Sequence, residues 1–396
     1  MHDILILGGG LVGSSLACAL EASGLRVAMV EASIPSAGAP GFNERKLALS
    51  AASLTALEHL AVAQKFANGF SPIRRIHISR VGDFGSVDIQ AKDYQREYFG
   101  GVVLARDLGA ALETRVAELE KLTIYRPAKV LRVTPDHVSP NVLIECNGKQ
   151  HIISGRMIVG ADGTQSMVRT ALNIPTDDFD YLQHLFVCTV QTDQVSDGTA
   201  YERFSSQGPV ALLPMPGGQF GAICGVANDE VANIADFSDA QYSDYFQQRF
   251  GWRAGRIRKV GARTHYPLKK MIAKEISGPG CVLMGNAAQT LHPIGAQGFN
   301  LGLRDALSFA ECLQKHDLQS PEFLSAYRES RREDRQKTIA FSDGLARFTA
   351  QENGFAKSLR SLGLTGLGLS PDLQMPIVNG AMGFRENIPQ LVRRSP

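Results

Sequence analysis

The chain has 396 residues, 44% of them hydrophobic, which is enough for a sizeable core divided among two or three domains. Its formal net charge of +2 argues against electrostatic attraction of a polyanion, so we expect no nucleic-acid partner. The six cysteines include no C-x-x-C pair, which favours reduced thiols in the cytoplasm over a disulfide framework or a zinc site, and we predict no metal. The apolar stretch Ile4–Leu20 follows no basic region and is broken by glycines, so it predicts neither a signal peptide nor a membrane span.

The N-terminal segment DILILGGGLVGSSLACALEASGLRVAMVEA predicts a strand, a tight turn, a helix and a second strand. The first strand is Ile4–Leu7, the helix is Leu11–Ala22 with Gly24 as its stop, and the second strand is Arg26–Val30. A helix that begins directly after such a turn presents its N-terminus to a ligand phosphate. The unit therefore predicts dinucleotide binding, but it does not by itself distinguish FAD from NAD.

Three glycines and one acid in this unit have predicted roles. Gly8 permits the turn, Gly10 lets a pyrophosphate approach the backbone, and Gly13 lets the helix lie close to the sheet. Glu31, at the end of the second strand, is predicted to accept hydrogen bonds from an adenosine ribose. A tight turn that binds no ligand is the alternative, and it leaves Glu31 without a role.

Two further glycine clusters follow predicted strands. Met157–Val159 leads into the turn Gly160–Gly163, and Cys281–Met284 leads into GNAAQTLHPIGAQGFNLG, residues 285–302, with a helix from about Phe299. Three such turns, far apart in the chain, indicate a ligand longer than NAD that crosses the ends of several strands.

The three clusters together carry a family resemblance. The G-x-G-x-x-G turn, the D-G motif at 160–169 and the segment 285–302 resemble the FAD-dependent aromatic monooxygenases built like para-hydroxybenzoate hydroxylase, over almost the whole chain. The phrases YERF, GPVALLPM and FGWR, with GNAAQTLHPIGAQGFNLGLRD, are similar to the ubiquinone-biosynthesis branch that hydroxylates 2-polyprenyl-6-methoxyphenol. The resemblance implies FAD as cofactor, NAD(P)H and O2 as cosubstrates, a polyprenyl phenol as substrate, and a flavin C4a-hydroperoxide as the hydroxylating species.

The resemblance also organises the remaining segments. Short strands with alternating polarity interrupt the glycine turns and predict an antiparallel sheet: 73–79, 186–191, 200–204, 210–214, 220–226 and 261–265. We therefore predict an α/β fold in which a discontinuous Rossmann-like FAD-binding domain carries an inserted, mostly antiparallel β-sheet substrate domain and a helical C-terminal tail. The predicted boundaries are 1–72, 100–180 and 277–345 for the FAD-binding domain, 73–99 and 181–276 for the substrate domain, and 346–396 for the tail.

By the same resemblance, residues 285–302 pass beside the isoalloxazine ring and the ribityl chain of the flavin. Small residues there let backbone amides reach flavin oxygens, and the helix that follows points its positive end at the flavin N1–C2=O edge. The implied FAD-binding residues beyond the first unit are Asp162, Gly163, Asn286, Pro293, Gln297, Gly298 and Asn300.

The segment departs from the family at three positions. Asn286 stands where the family usually has Asp, and it keeps a carbonyl acceptor but no charge. Gln289 stands where the family usually has His. Ala296 replaces the first glycine of the usual Gly-Gln-Gly, which adds a methyl group where the backbone comes closest to the flavin.

Two arginines and one histidine are further candidates. Arg45, at the start of a predicted helical stretch, is implied to lie near the flavin and to contact the pyrophosphate or NADPH; a surface arginine is the alternative. Arg106, before an apolar helix, resembles the arginine that reaches the ribityl-phosphate region of FAD. His292 is the candidate base for the phenol proton, with Pro293 holding its loop rigid, and a loop histidine bonded to backbone is the alternative.

Other polar and apolar groups have structural interpretations. Glu202 and Arg203 are predicted to form cross-strand pairs in a hairpin. The charged run 328–335 mixes both signs and predicts a solvated helix face. Leu212, Leu213 and Met215 are suited to line a site for an apolar substrate, although core packing predicts the same residues.

The tail leaves two interpretations open. The tail after about 346 is predicted to be helical at first and then Gly/Leu-rich, SLGLTGLGLSPDL, 361–373. It is either an amphipathic patch in peripheral contact with the inner membrane, where a polyprenyl substrate resides, or a helix that caps the domain, and association with other ubiquinone-biosynthesis proteins is expected to assist. Three other functions remain open as well: a sister hydroxylase acting at another ring position, a flavin oxidoreductase of different chemistry, and a non-catalytic FAD-binding scaffold.

Overall fold

A computed structural model describes residues 1–34, 45–205, 207–350, 363–368, 371–383 and 389–390. The strands, in chain order, are β1 His2–Leu7, β2 Val27–Val30, β3 Lys46–Ser50, β4 Ser71–Ile73, β5 Arg75–Arg80, β6 Ser86–Gln90, β7 Gly100–Leu104, β8 Leu122–Tyr125, β9 Ala128–Thr134, β10 Asn141–Cys146, β11 Lys149–Gly160, β12 Thr176–Thr192, β13 Thr199–Phe204, β14 Val210–Pro214, β15 Phe220–Ala227, β16 Ile257–Val260, β17 Thr264–Ala273, β18 Ser277–Gly278, β19 Cys281–Leu283 and β20 Gln289–Thr290.

The helices are α1 Leu11–Ala19, α2 Ala51–His59, α3 Ala105–Val116, α4 Met167–Ala171, α5 Val231–Ala235, α6 Asp239–Phe250, α7 Gln297–Lys315, α8 Pro321–Ala350, α9 363–368 and α10 Pro371–Met382. Short 3-10 turns lie at Glu21–Ser23, Ala63–Lys65, Ala91–Tyr94, Pro216–Gly218, Asn228–Glu230, Gly285–Ala287 and Ile294–Ala296. Within the described parts of the chain, no helix is both long and apolar enough to cross a bilayer.

A parallel sheet brings the three glycine turns together. Its strand order is β18-β19-β11-β1-β2-β8, and β9 and β10 extend it from β11. Leu7 pairs with both Val30 and Gly160, and Gly160 pairs with Leu283, so four strands end at the same edge. Residues 4–7 are fully buried, as an apolar strand at the centre of a parallel sheet requires.

A second, mostly antiparallel sheet has the order β20-β17-β12-β15-β14-β13-β5-β6, with β16 beside β12. On its outer face, α6 packs through Tyr242 and Phe246. On its inner face, Leu213 and Met215 pack against Val102 of a small sheet, β3-β7-β4. The β20 strand belongs to the third glycine segment and pairs with β17, so this segment is continuous with the larger sheet.

The predicted α/β fold with an inserted antiparallel sheet is confirmed, and several local predictions are wrong. Arg45 directly precedes strand β3, not a helix. The helix α2 begins only at Ala51, after β3, where Ser50 caps its N-terminus. The N-terminal helix ends at Ala19, before a 3-10 turn. The segment 261–265 is largely the connection between β16 and β17.

The described helices of the tail pack against the larger sheet. Two segments of the tail, α9 through Leu364 and Leu367 and α10 through Val378, cluster with Val87 of β6 and Ile78 of β5. The hydroxyl of Tyr94 donates to Gln374 of α10 at 2.6 Å. Both described tail helices therefore cover the sheet, and part of the stretch 361–373 lies outside the described residues. The exact domain boundaries stay a prediction.

Candidate functional site

The first glycine turn is shaped by close backbone contacts. Gly8 has a φ of 101°, in the region that favours glycine. A Cβ at Gly13 would lie 1.9 Å from the carbonyl oxygen of Gly8, so α1 can approach the strand only with glycine at this position. A Cβ at Gly10 would meet nothing within 4 Å. The space before the N-terminus of α1 is therefore open, which suits a diphosphate.

Glu31 lies at the end of β2 with an ionised carboxylate. It accepts hydrogen bonds from the backbone N–H of Gly9 at 2.7 Å and of Ser33 at 2.8 Å, and from the Ser33 hydroxyl. Burial opposes ionisation, but these hydrogen bonds and the charge of Arg126 hold the pKa of Glu31 below its usual value. The remaining lone pairs of the carboxylate can accept from ribose hydroxyls.

Arg126 is a residue of this site that the sequence reasoning missed. Its guanidinium donates to both carboxylate oxygens of Glu113, at 2.7 and 2.9 Å. One guanidinium nitrogen lies 3.1 Å from the position that a Cβ of Gly9 would occupy. The only available signal was its position directly after β8, because β8 pairs with β2 and so ends beside Glu31.

The second turn holds a carboxylate with one free oxygen. Asp162 Oδ2 accepts from the backbone N–H of Met167 at 2.7 Å and of Val168 at 3.3 Å. Asp162 Oδ1 is buried and has no hydrogen-bond partner within the described residues. Gly163 has a φ of 81°, and a Cβ there would meet nothing within 4 Å. A hydrogen-bond donor of a bound cofactor fits this oxygen.

Side chains join the second turn to the third segment. Arg169 donates to the carbonyl oxygens of Ala287 at 2.9 Å and Thr164 at 2.7 Å. The hydroxyls of Thr164 and Thr290 lie 2.9 Å apart. The two turns, more than a hundred residues apart in the chain, thus form one surface.

The start of α7 is held by Asn300. Its amide donates to the carbonyl oxygen of Ala48 at 3.0 Å and accepts from the N–H of Ser50 at 3.0 Å, which ties the third segment to β3. Ala296, before the helix, has a φ of 51° and so adopts a left-handed conformation that favours glycine. Gln297 is buried and donates to its own loop at Gly295. A Cβ at Gly298 would meet nothing within 4 Å, and Asn286 is exposed.

Behind this segment lie four buried charged residues, hereafter the buried charge cluster: Arg304, Asp305, Arg331 and Asp334. Asp334 pairs with Arg304 at 2.7 Å and with Arg331 at 2.8 Å, and Arg331 pairs with Asp305 at 2.7 Å. The second oxygen of Asp305 accepts from the N–H of Gly285 at 3.1 Å. The cluster therefore connects α7 and α8 to the third glycine turn.

This cluster corrects the prediction of a solvated helix face over 328–335. Arg331 and Asp334 are buried, whereas Arg332 and Glu329 form an exposed pair. Arg335 also turns inward and donates to Gln289 at 2.8 Å. The mixture of signs was compatible with either face, and only the packing of α8 on α7 decides it.

His292 and Pro293 lie within residues 285–302, and the backbone of His292 contacts α8. The ring of His292 packs edge-on against Tyr181 at 4.6 Å, and its carbonyl accepts from the Ser342 hydroxyl at 3.0 Å. Burial, only partly opposed by Asp343, lowers the pKa of His292 to about 4. The imidazole is therefore neutral at pH 7, and its role as a base stays a prediction.

The two candidate arginines are both exposed and lie close together. The carbonyl of Arg45 accepts from the N–H of Ala105 at 2.8 Å, so Arg45 adjoins the first turn of α3, where Arg106 lies. Burial raises the pKa of Tyr266 on β17, and the positive charge of Arg45 partly opposes this. The side chain of Arg106 contacts Asp107 at 3.4 Å.

The inner face of the larger sheet is apolar. Leu213 and Met215 lie on it and contact Ala48 of β3, as expected of a lining for an apolar substrate. Leu212 is different, because it points to the outer face and packs with Tyr242. Its predicted place in the lining is wrong, since alternate residues of a strand face opposite sides.

The donor and acceptor set at the edge of the parallel sheet fits FAD. The open space at Gly10 suits a diphosphate, Glu31 suits a ribose, and the unpartnered oxygen of Asp162 suits a further hydroxyl donor. No group of three or more His, Cys, Asp and Glu residues that could hold a metal ion occurs in the described ranges.

Comparison with known proteins agrees with this geometry. The FAD binding domain family matches residues 1–342. The chain belongs to this family. Ubiquinone hydroxylase UbiL of Rhodospirillum rubrum is 31% identical to this flavoprotein over 407 residues, which covers 100% of this chain and 93% of that protein. The 3-demethoxyubiquinol 3-hydroxylase of Escherichia coli is 27% identical and covers 78% of this chain and 79% of its own length.

Solved structures show the same fold. The p-nitrophenol 4-monooxygenase PnpA of Pseudomonas putida superposes with a TM-score of 0.79 at 17% identity, over 97% of this chain and 99% of that chain. PqsL of Pseudomonas aeruginosa, in complex with 2-aminobenzoylacetate, superposes with a TM-score of 0.76 at 19% identity, over 93% of this chain and 100% of that chain. The match to the FAD binding domain family, together with the 31% identity to ubiquinone hydroxylase UbiL, shows that the protein is a flavoprotein monooxygenase with FAD as its cofactor.

Proposed function

We propose that this flavoprotein hydroxylates the aromatic ring of a polyprenyl phenol in ubiquinone biosynthesis, with 2-polyprenyl-6-methoxyphenol as substrate and NAD(P)H and O2 as cosubstrates. The observation that carries the proposal is that three glycine turns end at one edge of the parallel sheet, beside a second sheet with an apolar inner face. The relatives named ubiquinone hydroxylase and 3-demethoxyubiquinol 3-hydroxylase support the substrate class.

The proposal assigns FAD-binding roles along that edge. The turn at Gly8, Gly10 and Gly13 receives the pyrophosphate, and Glu31 accepts from the adenosine ribose. Bound FAD supplies the electron transfer and the oxygen activation. The residues proposed to contact the rest of the cofactor are Arg45, Arg106, Asp162, Gly163, Asn286, Pro293, Gln297, Gly298 and Asn300.

The proposal assigns the phenol to the space between the third segment and the inner face of the larger sheet. Leu213 and Met215 offer apolar contacts to the ring and its prenyl chain. Such a lining also excludes water, which protects a reactive oxygen donor from wasteful loss. The division into FAD-binding and substrate domains follows the two larger sheets.

Reconstitution and turnover test the proposal together. Purified protein is loaded with FAD, and consumption of NADH, NADPH and O2 is followed with and without a short-chain 2-prenyl-6-methoxyphenol. We expect substrate-dependent consumption and a product that is heavier by one oxygen atom in mass spectrometry. Protein that cannot be reconstituted with FAD, or consumption that yields only H2O2, contradicts the proposal.

The ring position is tested in cells. In a strain that lacks this protein, accumulation of a polyprenyl methoxyphenol supports the proposed substrate. Accumulation of an intermediate that already carries the para hydroxyl assigns the protein instead to a sister reaction at another ring carbon, which is the function favoured by the likeness to a 3-hydroxylase.

A further inference from the structure

Glu202 is a carboxylate on an otherwise apolar strand surface. It lies in β13, where it pairs with Ala211 of β14 and with Ile78 of β5. Neither partner offers a charge or a side-chain hydrogen bond, so the predicted cross-strand pairing of Glu202 is wrong. The side chain is half-buried.

The neighbours of Glu202 show which face it occupies. The ring of Tyr201 meets Phe250 of α6 edge-on at 5.7 Å. The guanidinium of Arg203 lies 3.6 Å from the Cβ position of Gly251, at the end of the same helix. Both neighbours therefore point to the outer face, and alternation along the strand places Glu202 on the inner face.

The inner face adjoins residues 285–302, which are proposed to lie beside the flavin. Ala200, two residues before Glu202 and on the same face, belongs with Leu213 to the cluster that contacts Ala48 of β3. The carbonyl of Ala48 accepts in turn from Asn300. Glu202 thus shares its side of the sheet with the residues proposed to surround the substrate.

Nothing within the described part of the chain compensates this carboxylate. It has no hydrogen-bond or ion-pair partner there, and burial alone raises the pKa of Glu202 to about 7. The charged groups of the described elements packed on this face are Lys46 of β3, Arg80 of β5, which is paired with Asp83, Asp372 of α10, and the exposed Lys92 and Asp93 of the 3-10 turn Ala91–Tyr94. None of them contributes to the shift, and α9 carries no charged residue.

We propose that Glu202 is the catalytic base that accepts the ring-hydroxyl proton of the phenol substrate. The inference rests on the proposed function, since it requires a phenol on the inner face. In the step, the O–H bond of the substrate breaks, its electron pair stays on the phenolate oxygen, and the proton passes to a carboxylate oxygen of Glu202. The phenolate is the more electron-rich ring and the better acceptor of an electrophilic oxygen atom, and the proton leaves Glu202 after turnover.

An unpartnered carboxylate is suited to this step. A general base works best when its pKa lies near the operating pH, because it is then ionised and still basic enough to take a proton in the transition state. Glu202 meets this condition. His292 does not, because a pKa of about 4 makes its imidazole a much weaker base.

Glu202→Gln tests the assignment, because it keeps the size and polarity of the side chain but removes the base. Glu145→Gln, the same change at an exposed position of β10, is the matched control. Both proteins are loaded with FAD, and three quantities are compared with wild type: flavin reduction by NAD(P)H, hydroxylated product per NAD(P)H, and the pH profile of product formation.

We expect Glu202→Gln to bind FAD and accept electrons as wild type does while forming product on the order of 10²–10⁴-fold more slowly. Product formation by wild type should rise with pH through about 7, and this rise should be absent in the variant. A ring-fluorinated phenol, which is ionised at lower pH, should restore much of the lost rate. Glu145→Gln should match wild type throughout.

Several results overturn the assignment. One is that Glu202→Gln forms product as fast as wild type does. Another is that product formation by the variant still rises with pH through about 7. A third is that the variant loses the same fraction of the rate with the fluorinated phenol as with the parent phenol. If Glu202→Gln fails to fold, Glu202→Asp is used instead, because it keeps a carboxylate. Product formation by Glu202→Asp must be slower than wild type but must still rise with pH, and the absence of this rise contradicts the proposal. Wild-type protein that makes no hydroxylated product contradicts the proposed function itself, whatever the variants do.

Discussion

Two regions of this molecule bury carboxylates, and they treat them in opposite ways. In the buried charge cluster, Asp334 lies between Arg304 and Arg331. Burial opposes its ionisation, but the two arginines outweigh this and hold the pKa of Asp334 well below its usual range. On the inner face of the sheet, Glu202 is half-buried without any such partner, and the pKa of this carboxyl is raised to about 7.

The difference separates a carboxylate that stabilises the fold from one that can take part in proton transfer. A carboxylate with two arginine partners, as Asp334 has, stays ionised at every ordinary pH, so it can hold α7 to α8 but cannot exchange protons. A carboxylate whose pKa is raised by burial alone, as that of Glu202 is, changes its protonation state near pH 7. That property is costly for stability and useful for catalysis, and it occurs where the substrate is proposed to lie.

Removing one partner from the buried charge cluster should have the largest effect. Asp334→Asn leaves two buried arginines undercompensated, and we expect the free energy of unfolding to fall by about 3–5 kcal/mol, as urea denaturation measures. The exposed pair of Glu329 and Arg332 supplies the control, since Glu329→Gln should change stability by less than about 1 kcal/mol. Equal effects of the two substitutions would show that the cluster is not a structural anchor.

His292 extends the comparison to a buried base. The pKa of His292 is 6.5 in the unfolded chain and about 4 in the folded protein. Its contribution to the free energy of unfolding is therefore complete above pH 6.5 and is lost as the pH falls from 6.5 towards 4. We expect the free energy of unfolding of wild type to drop by about 3 kcal/mol more than that of His292→Gln over this interval. His151→Gln, at an exposed position, should follow wild type. Parallel pH curves for wild type and His292→Gln would remove His292 from the group of buried titrating residues.

Glu202 should show the opposite sign. Its folded-state pKa of about 7 lies above the unfolded value of 4.5, so its favourable contribution is complete below 4.5 and is lost as the pH rises through 7. Relative to wild type, Glu202→Gln should gain up to about 2 kcal/mol of stability between pH 4.5 and 8, a figure reduced for the accessible part of the side chain. A variant that instead loses stability at high pH would indicate a hidden cationic partner.

The smallest effect concerns backbone strain without any change of charge. Ala296 adopts a left-handed conformation at the start of α7, so Ala296→Gly should raise the free energy of unfolding by about 1 kcal/mol or less. Thermal unfolding of the apoprotein measures this directly. A decrease in stability would mean that the methyl group of Ala296 has packing contacts that outweigh the strain.

The sequence predicted the glycine turns well because their requirements are local. Gly8 is required because its φ is positive, and Gly13 is required because a Cβ there would lie 1.9 Å from the carbonyl oxygen of Gly8. Both constraints involve residues close together in the chain. The end of β2 at Glu31 followed from a run of apolar residues. A family resemblance then extended these local patterns to a cofactor.

Other features were beyond sequence reasoning because they depend on distant partners. Alternation in β14 already excludes Leu212 and Leu213 from the same face, but only the packing against β3 shows that Leu213 is the inward residue and that Glu202 of β13 shares its face. The charged run in α8 likewise contained both buried and exposed positions.

By itself, then, the sequence determined the three glycine turns and the α/β class, since each rests on backbone sterics and periodicity within one segment. Tertiary structure alone decided which buried charges are compensated. Whether a carboxylate meets two arginines, as Asp334 does, or none within the described chain, as Glu202 does, is settled only when elements far apart in the sequence are brought into contact.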